Sequence, residues 1–91
     1  MKEILLFVMA GCPHCRLALQ LQEELFAAHP KWRDIPLKIV DETRDPAFAD
    51  RFDYYYVPTY YVDGQKVHEG HAERDDVEKV FRLAAGEPVK S

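Results

Sequence analysis

Both cysteines of the 91-residue chain lie in one short sequence, Cys12-Pro13-His14-Cys15. Two thiols at this spacing can form a disulfide, exchange it with a substrate, or supply two ligands to a metal site. A disulfide between them would close almost no loop, so it would contribute little stability by restricting the unfolded chain. The pair therefore indicates redox chemistry or metal binding rather than a structural crosslink.

The residues before Cys12 allow two interpretations. Lys2 is followed by the apolar run Ile4 to Met9, which resembles a short export signal ending in a lipid-modified Cys12. Signal peptides have about 15–30 residues, however, and only eleven precede Cys12. An apolar run without alternation is also typical of a strand covered on both faces. We therefore predict a buried strand that leads into the cysteine pair, and we expect a cytoplasmic protein.

A helix is predicted to follow Cys12, because apolar residues then recur at helical intervals up to His29-Pro30. Cys12 would lie at the helix N-terminus, where free backbone N–H groups and the helix dipole favour a thiolate. We expect Pro13 at the first helical position, and His14 and Arg16 by their charge, to tune the acidity of Cys12.

Cys15 would lie one turn further into the same helix. We expect it to be more buried than Cys12 and close enough to attack a mixed disulfide on Cys12. The spacing thus predicts one nucleophilic and one resolving sulfur, and these two cysteines are the predicted catalytic residues.

The remaining chain predicts one α/β domain of residues 1–91 with the order β-α-β-α-β-β-α. The residues from Leu37 to Val40 suit a second strand, and Asp45-Pro46 suits the start of a second helix. Two β-prone runs around Asp63-Gly64 predict a hairpin. Asp75 and Glu78 fit a capping box for the last helix.

The net charge of −4 argues against nucleic acid or an anionic membrane as a partner, and no segment is long enough to span a membrane.

Metal binding competes with redox chemistry as the role of the cysteine pair. His68 and His71 could join Cys12 and Cys15 as four zinc ligands. Such sites usually close over about 12–20 residues, whereas His68 lies much further along the chain. We therefore expect no metal. Two more hypotheses are an iron–sulfur cluster shared between two chains through Cys12, and an adaptor without redox activity that docks a partner at Val57.

The sequence resembles the thioredoxin superfamily, and in particular its small glutaredoxin-like members. The resemblance rests on Gly-Cys-Pro-His-Cys at residues 11–15, Val-Pro-Thr at residues 57–59, and Asp-Gly at 63–64 followed by Glu-Gly at 69–70. It implies a thioredoxin-like fold with a four-stranded mixed sheet flanked by helices, and a thiol–disulfide oxidoreductase active in electron transport. It also implies a cis Pro58 beside Cys12 and a substrate-binding segment of Tyr56, Val57, Pro58 and Thr59.

The resemblance further implies a monomer that acts on disulfide-containing proteins or small thiols. Glutathione or a reductase would return the oxidised protein to the dithiol. Glutathione-binding members usually have a Gly-Gly pair before an acidic helix start, whereas only Gly70 is present here. This departure counts against glutathione as a bound ligand and leaves it as a candidate reductant.

Overall fold

Four strands and three α-helices follow one another in the predicted order in a computed structural model that describes residues 1–89. Residues 90 and 91 of the predicted domain lie outside the described residues. One 3-10 helix joins the first helix to the second strand. The elements are β1 (Ile4–Val8), α1 (Pro13–Ala28), the 3-10 helix (Pro30–Asp34), β2 (Leu37–Asp41), α2 (Pro46–Ala49), β3 (Thr59–Val62), β4 (Gln65–Glu69) and α3 (Arg74–Ala85).

The strands form one mixed sheet in the order β2-β1-β3-β4. β1 pairs with β2 in parallel and with β3 antiparallel, and β3 and β4 form an antiparallel hairpin. All five residues of β1 are buried, because elements cover both faces of the central strands. The unbroken apolar run before Cys12 is therefore a central strand, as predicted.

Helix α1 begins and ends where the sequence predicts. Cys12 is its N-cap residue with extended backbone, Pro13 occupies the first turn, and His29 is the C-cap. Proline suits this first turn because its missing N–H would have no helical partner there. The buried face of the helix consists of Cys15, Ala18, Leu21, Gln22, Leu25 and Phe26. The periodicity of α1 thus directs Cys15 towards the sheet.

Two hydrophobic clusters cover the two faces of the sheet. The larger contains both cysteines, Leu6, Tyr60 and the apolar faces of α1 and α3. The smaller contains Phe7, Tyr61 and Ala49, with Phe48, Phe52 and Tyr54 packed against it. Neighbouring residues of one strand enter different clusters because successive side chains point to opposite faces. Val57 packs against both clusters, and this places the segment before Pro58 at the end of the sheet.

Two local features differ from the sequence prediction. The N-cap of α3 is Glu73, two residues before the predicted cap Asp75, and its backbone N–H donates to the Asp76 carboxylate at 2.9 Å. Asp75 lies inside the first turn, so the capping box predicted for Asp75 and Glu78 was wrong. The 3-10 helix was not predicted; it buries Trp32 against Phe81 of α3.

Candidate active site

The Cys12 sulfur lies at the N-terminus of α1. Its side chain accepts a hydrogen bond from the Cys15 backbone N–H, with 3.3 Å between nitrogen and sulfur. The Cys12 backbone N–H donates to the Met9 carbonyl at 3.2 Å, which fixes the turn between β1 and the helix. Such a helix terminus offers N–H donors and a positive dipole end to a sulfur anion. Both cysteines are free thiols.

Cys15 lies deeper than Cys12 in the larger hydrophobic cluster. The exposed fraction is 3% for Cys15 and 8% for Cys12. The pKa of the Cys15 thiol is raised to about 12, mainly because burial disfavours its thiolate and next because of its hydrogen bond with Cys12. The negative charge of Glu42 acts in the same direction. At neutral pH, Cys15 is therefore a protonated thiol packed below Cys12.

The segment before β3 passes beside the Cys12 sulfur. The Val57 carbonyl oxygen lies 4.0 Å from Cys12 Sγ, and the peptide bond between Val57 and Pro58 is cis. Thr59 is buried, and its hydroxyl donates to the Tyr56 carbonyl. The structure thus brings the predicted substrate-binding residues next to the cysteine pair.

An ion pair holds the loop that carries Tyr55 and Tyr56. The Glu69 carboxylate accepts hydrogen bonds from the backbone N–H groups of Tyr55 at 2.5 Å and Tyr56 at 3.1 Å, and it pairs with Lys66 Nζ at 2.8 Å. These contacts lower the pKa of Glu69 to about 2, the Lys66 hydrogen bond being the largest cause. Lys66 also donates to the Asp53 carbonyl. We call Lys66 and Glu69 the loop clamp.

The sequence did not indicate the loop clamp, because Lys66 lies outside the motifs that carry the resemblance and nothing in those motifs pairs Glu69 with it. The only signal was an i, i+3 pair of opposite charges on a strand of a predicted hairpin, and such pairs are common on protein surfaces.

His14 contacts a second histidine from the far end of the chain. Its Nδ1 lies 2.9 Å from Nδ1 of His71, and His71 Nε2 lies 2.9 Å from the Glu73 carboxylate. The planes of the two rings are 84° apart, so the rings do not stack. His68 Nε2 donates to the His71 carbonyl at 2.8 Å. We call His14, His71 and Glu73 the histidine chain.

The other predicted tuning residues make few contacts. Pro13 is exposed at the start of α1. The side chain of Arg16 is also exposed, and among residues 1–89 it forms no ion pair or side-chain hydrogen bond, although its backbone N–H donates to the Cys12 carbonyl at 3.1 Å. Any effect of Arg16 on Cys12 therefore acts through solvent, where charge interactions are weak.

The tyrosines on either side of Pro58 divide into core and surface. Tyr60 and Tyr61 are buried, and the Tyr60 hydroxyl donates to the Gln22 side chain at 2.5 Å. Tyr55 and Tyr56 are 86% and 70% exposed. These two exposed rings precede Val57 directly in the chain and offer apolar contact area to a partner.

A cavity of about 330 Å³ opens beside this loop, on the face of the smaller cluster. Its lining consists of Glu42, Pro46, Ala49, Asp50, Phe52, Tyr54 and Tyr55. The Tyr54 hydroxyl donates to the Glu42 carboxylate at 2.9 Å, and burial raises the pKa of Tyr54. The sequence alone gave no reason to select Glu42, because it only follows a predicted strand.

The four candidate zinc ligands do not come together. Within residues 1–89, no group of three or more His, Cys, Asp or Glu side chains is arranged to hold a metal ion. His68 is directed to the His71 carbonyl instead. Across the same residues, no helix combines the length and the apolar character that a membrane span requires.

Comparisons with known proteins agree with this geometry. A family model described as a thioredoxin domain matches residues 2–82. No curated protein sequence matches the chain significantly.

Several solved structures are similar to this fold. A malarial protein superposes with a TM-score of 0.70 at 17% identity, over 92% of this chain and 97% of that one. A mutant thioredoxin from Halobacterium salinarum NRC-1 gives a TM-score of 0.66 at 21% identity, over 91% of this chain and 74% of that one. A protein disulfide oxidoreductase from Aeropyrum pernix K1 also gives 0.66, at 22% identity, over 94% of this chain and 38% of that protein. At these identities the likeness shows a shared fold.

Proposed function

Because the chain belongs to the thioredoxin domain family, we propose that it is a thiol–disulfide oxidoreductase with Cys12 and Cys15 as the reacting pair. One observation supports this most strongly. The Cys12 sulfur caps α1 and accepts the Cys15 N–H, while Cys15 stays protonated in the core directly below it. The two thiols thus differ in environment as a nucleophile and a resolving thiol must.

In the first step, the Cys12 thiolate attacks one sulfur of a substrate disulfide. A bond forms between Cys12 Sγ and that sulfur, the substrate S–S bond breaks, and the other substrate sulfur leaves as a thiolate that takes up a proton. In the second step, Cys15 loses its proton and attacks Cys12 Sγ, which releases the second substrate thiol. The substrate disulfide is reduced to two thiols, and the Cys12–Cys15 pair is oxidised to a disulfide.

The surface beside Cys12 supports an extended protein segment as the substrate. Among residues 1–89, the Val57 N–H and carbonyl form no hydrogen bond with another backbone group, and the carbonyl has only the long 4.0 Å contact with Cys12 Sγ. Both groups can therefore pair with an added strand. The exposed ring of Tyr56 would then contact a side chain near the substrate disulfide, while Pro58 and the buried Thr59 fix the segment.

The proposed cycle requires a reductant that returns the disulfide to two thiols. Glutathione or a reductase supplies these electrons in our proposal, and the cytoplasm is the compartment that keeps such thiols reduced. The monomer is the proposed active unit, because both sulfurs and the Val57 segment come from one chain.

Replacing one cysteine at a time tests the proposal. We expect Cys15→Ser to accumulate a mixed disulfide with a small disulfide substrate, because no thiol remains to displace Cys12. Mass spectrometry after digestion should place the adduct on Cys12. Cys12→Ser is the matched control and should form almost no adduct. An adduct that accumulates equally in both variants, or no turnover by the unmodified protein, would contradict the proposal.

A further inference from the structure

The histidine chain connects the cysteine loop to the start of α3 without using any core residue. His71 is about half exposed and the Glu73 side chain is 75% exposed, so both can be replaced with little loss of packing. His14 and His71 are 57 positions apart in sequence. Their contact joins the imidazole of His14, which lies between the two cysteines, to the Glu73 carboxylate. The hydrogen-bonding rules of these groups determine where its protons lie.

The Glu73 carboxylate determines which nitrogen of His71 carries a hydrogen. An ionised carboxylate only accepts hydrogen bonds, so His71 must carry a hydrogen on Nε2 to bond Glu73. In a neutral imidazole the other nitrogen then has no hydrogen and is an acceptor. The short contact between the two Nδ1 atoms therefore requires the hydrogen on Nδ1 of His14. The hydrogen bonds at both ends are compatible with only this arrangement of neutral rings.

We infer that Glu73 and His71 hold His14 in the tautomer that carries its proton on Nδ1, and that His71 is a positioning residue for His14. With Nδ1 engaged as a donor, Nε2 is the only nitrogen at which His14 binds or releases a proton. An imidazole of free orientation would use either nitrogen.

The groups around the chain support this assignment. His68, on β4, donates from Nε2 to the His71 carbonyl and thereby fixes the backbone of the second ring. Nδ1 of His68 lies 4.0 Å from the Asp76 carboxylate of α3. Glu73 is the only carboxylate within residues 1–89 that forms an ion pair or hydrogen bond with the His71 ring. No second acceptor among these residues competes for the proton on His71.

The consequence for catalysis rests on the proposed function. Thiol–disulfide exchange moves a proton off an attacking thiol and onto a leaving thiolate. In the proposed cycle, His14 would accept at Nε2 the proton that the Cys12 thiol loses when it forms the attacking thiolate, which breaks the S–H bond and forms an N–H bond, and would return that proton to the leaving sulfur. In the neutral ring, His71 and Glu73 would leave this nitrogen as the one without a hydrogen and would hold it in one orientation.

Nitrogen NMR of the imidazoles tests the tautomer directly. Long-range proton–nitrogen spectra of the reduced, labelled protein near pH 8 should show the hydrogen on Nδ1 of His14 and on Nε2 of His71. Glu73→Gln and His71→Ala should each return His14 to a mixture of tautomers. Glu23→Gln removes another exposed carboxylate of a surface ion pair and should leave the His14 spectrum unchanged. A hydrogen on Nε2 of His14 in the unmodified protein would overturn the inference.

A kinetic measurement tests the positioning role separately. In the Cys15→Ser background, His71→Ala should slow the reaction of Cys12 with a small disulfide near neutral pH by about two- to tenfold, the range for one net hydrogen bond. The same change should have no effect when His14 is already alanine. Equal slowing in both backgrounds would refute the positioning role. Failure of the unmodified protein to react with any disulfide would refute the proposed function and leave the tautomer assignment intact.

Discussion

Cys12→Ser leaves Cys15 as the only thiol, and we expect iodoacetamide to alkylate it about a hundredfold more slowly at pH 7 than a free cysteine. Serine is similar in size to cysteine, so the burial of Cys15, which is the main cause of its raised pKa, remains. The expected rate follows from two opposing effects of that pKa: it reduces the amount of thiolate and increases the reactivity of the thiolate that forms.

With a pKa of about 12, roughly one Cys15 in 10⁵ is a thiolate at pH 7, against about 3% for a free cysteine. This difference lowers the rate by about 3,000-fold. The more basic thiolate is the better nucleophile, and a Brønsted coefficient of about 0.4–0.5 recovers roughly 30-fold. The net effect is a rate about a hundredfold below that of a free thiol, before any steric protection by the core.

The assay is mass spectrometry of alkylated Cys12→Ser protein at timed intervals between pH 7 and pH 10. The rate should rise about tenfold for each pH unit, because the thiolate fraction does so below the pKa. The same protein unfolded in guanidinium is the control and should react as a free cysteine. Cys15→Ser is the matched variant, and its Cys12 should react faster than Cys15. If folded Cys12→Ser reacts within threefold of the unfolded control, the argument that burial protects Cys15 is wrong.

Two further predictions concern the residues that support the site. The pKa of Glu69 is lowered to about 2, so the loop clamp is fully formed at pH values above the ordinary glutamate pKa near 4.3 and is lost as the pH falls through about 2. The amide chemical shifts of Tyr55 and Tyr56 should report this loss. Glu69→Gln should speed hydrogen exchange at both amides near neutral pH, and unchanged exchange would contradict the clamp. Tyr60→Phe leaves the buried Gln22 oxygen without its partner and should lower the free energy of unfolding by about 1–3 kcal/mol. Urea denaturation measures this loss, which Gln22→Leu in the same protein should partly restore; an unchanged midpoint in Tyr60→Phe would show that the bond contributes nothing.

Local patterns in the sequence were sufficient to predict most of the fold. The apolar run of β1, the periodicity of α1 and the Asp-Gly turn of the hairpin each depend on neighbouring residues, and each element lies where its pattern predicts. Asp45 likewise caps α2, with its carboxylate accepting the Phe48 N–H at 3.3 Å. The start of α3 was misplaced because glutamate is not among the preferred N-cap residues, whereas two aspartates follow it.

The parts of the site that depend on distant residues could not be predicted from the sequence. Glu69 is 14 positions from Tyr55 and reaches its N–H only because the hairpin returns beside the loop. The sequence pattern suggests His71 only as a zinc ligand, and its contact with His14 appears only after α1 and α3 pack together. The sequence also could not show that Tyr60 and Tyr61 are both buried. Alternation of side chains along a strand predicts one buried face, whereas β3 is covered on both faces.

The cysteine pair belongs to the same hydrophobic cluster as Leu6 and Tyr60, so oxidation of the pair changes two groups that are packed inside the core. Unfolding and reduction then form one thermodynamic cycle. The difference in folding free energy between the dithiol and disulfide forms is therefore proportional to the difference in reduction potential between the folded and the unfolded chain. A displacement of about 30 mV corresponds to about 1.4 kcal/mol, and that energy shifts the melting temperature of a domain this small by about 6–11 °C. Comparing two melting curves would therefore show whether this core favours giving electrons to a disulfide or taking them from thiols.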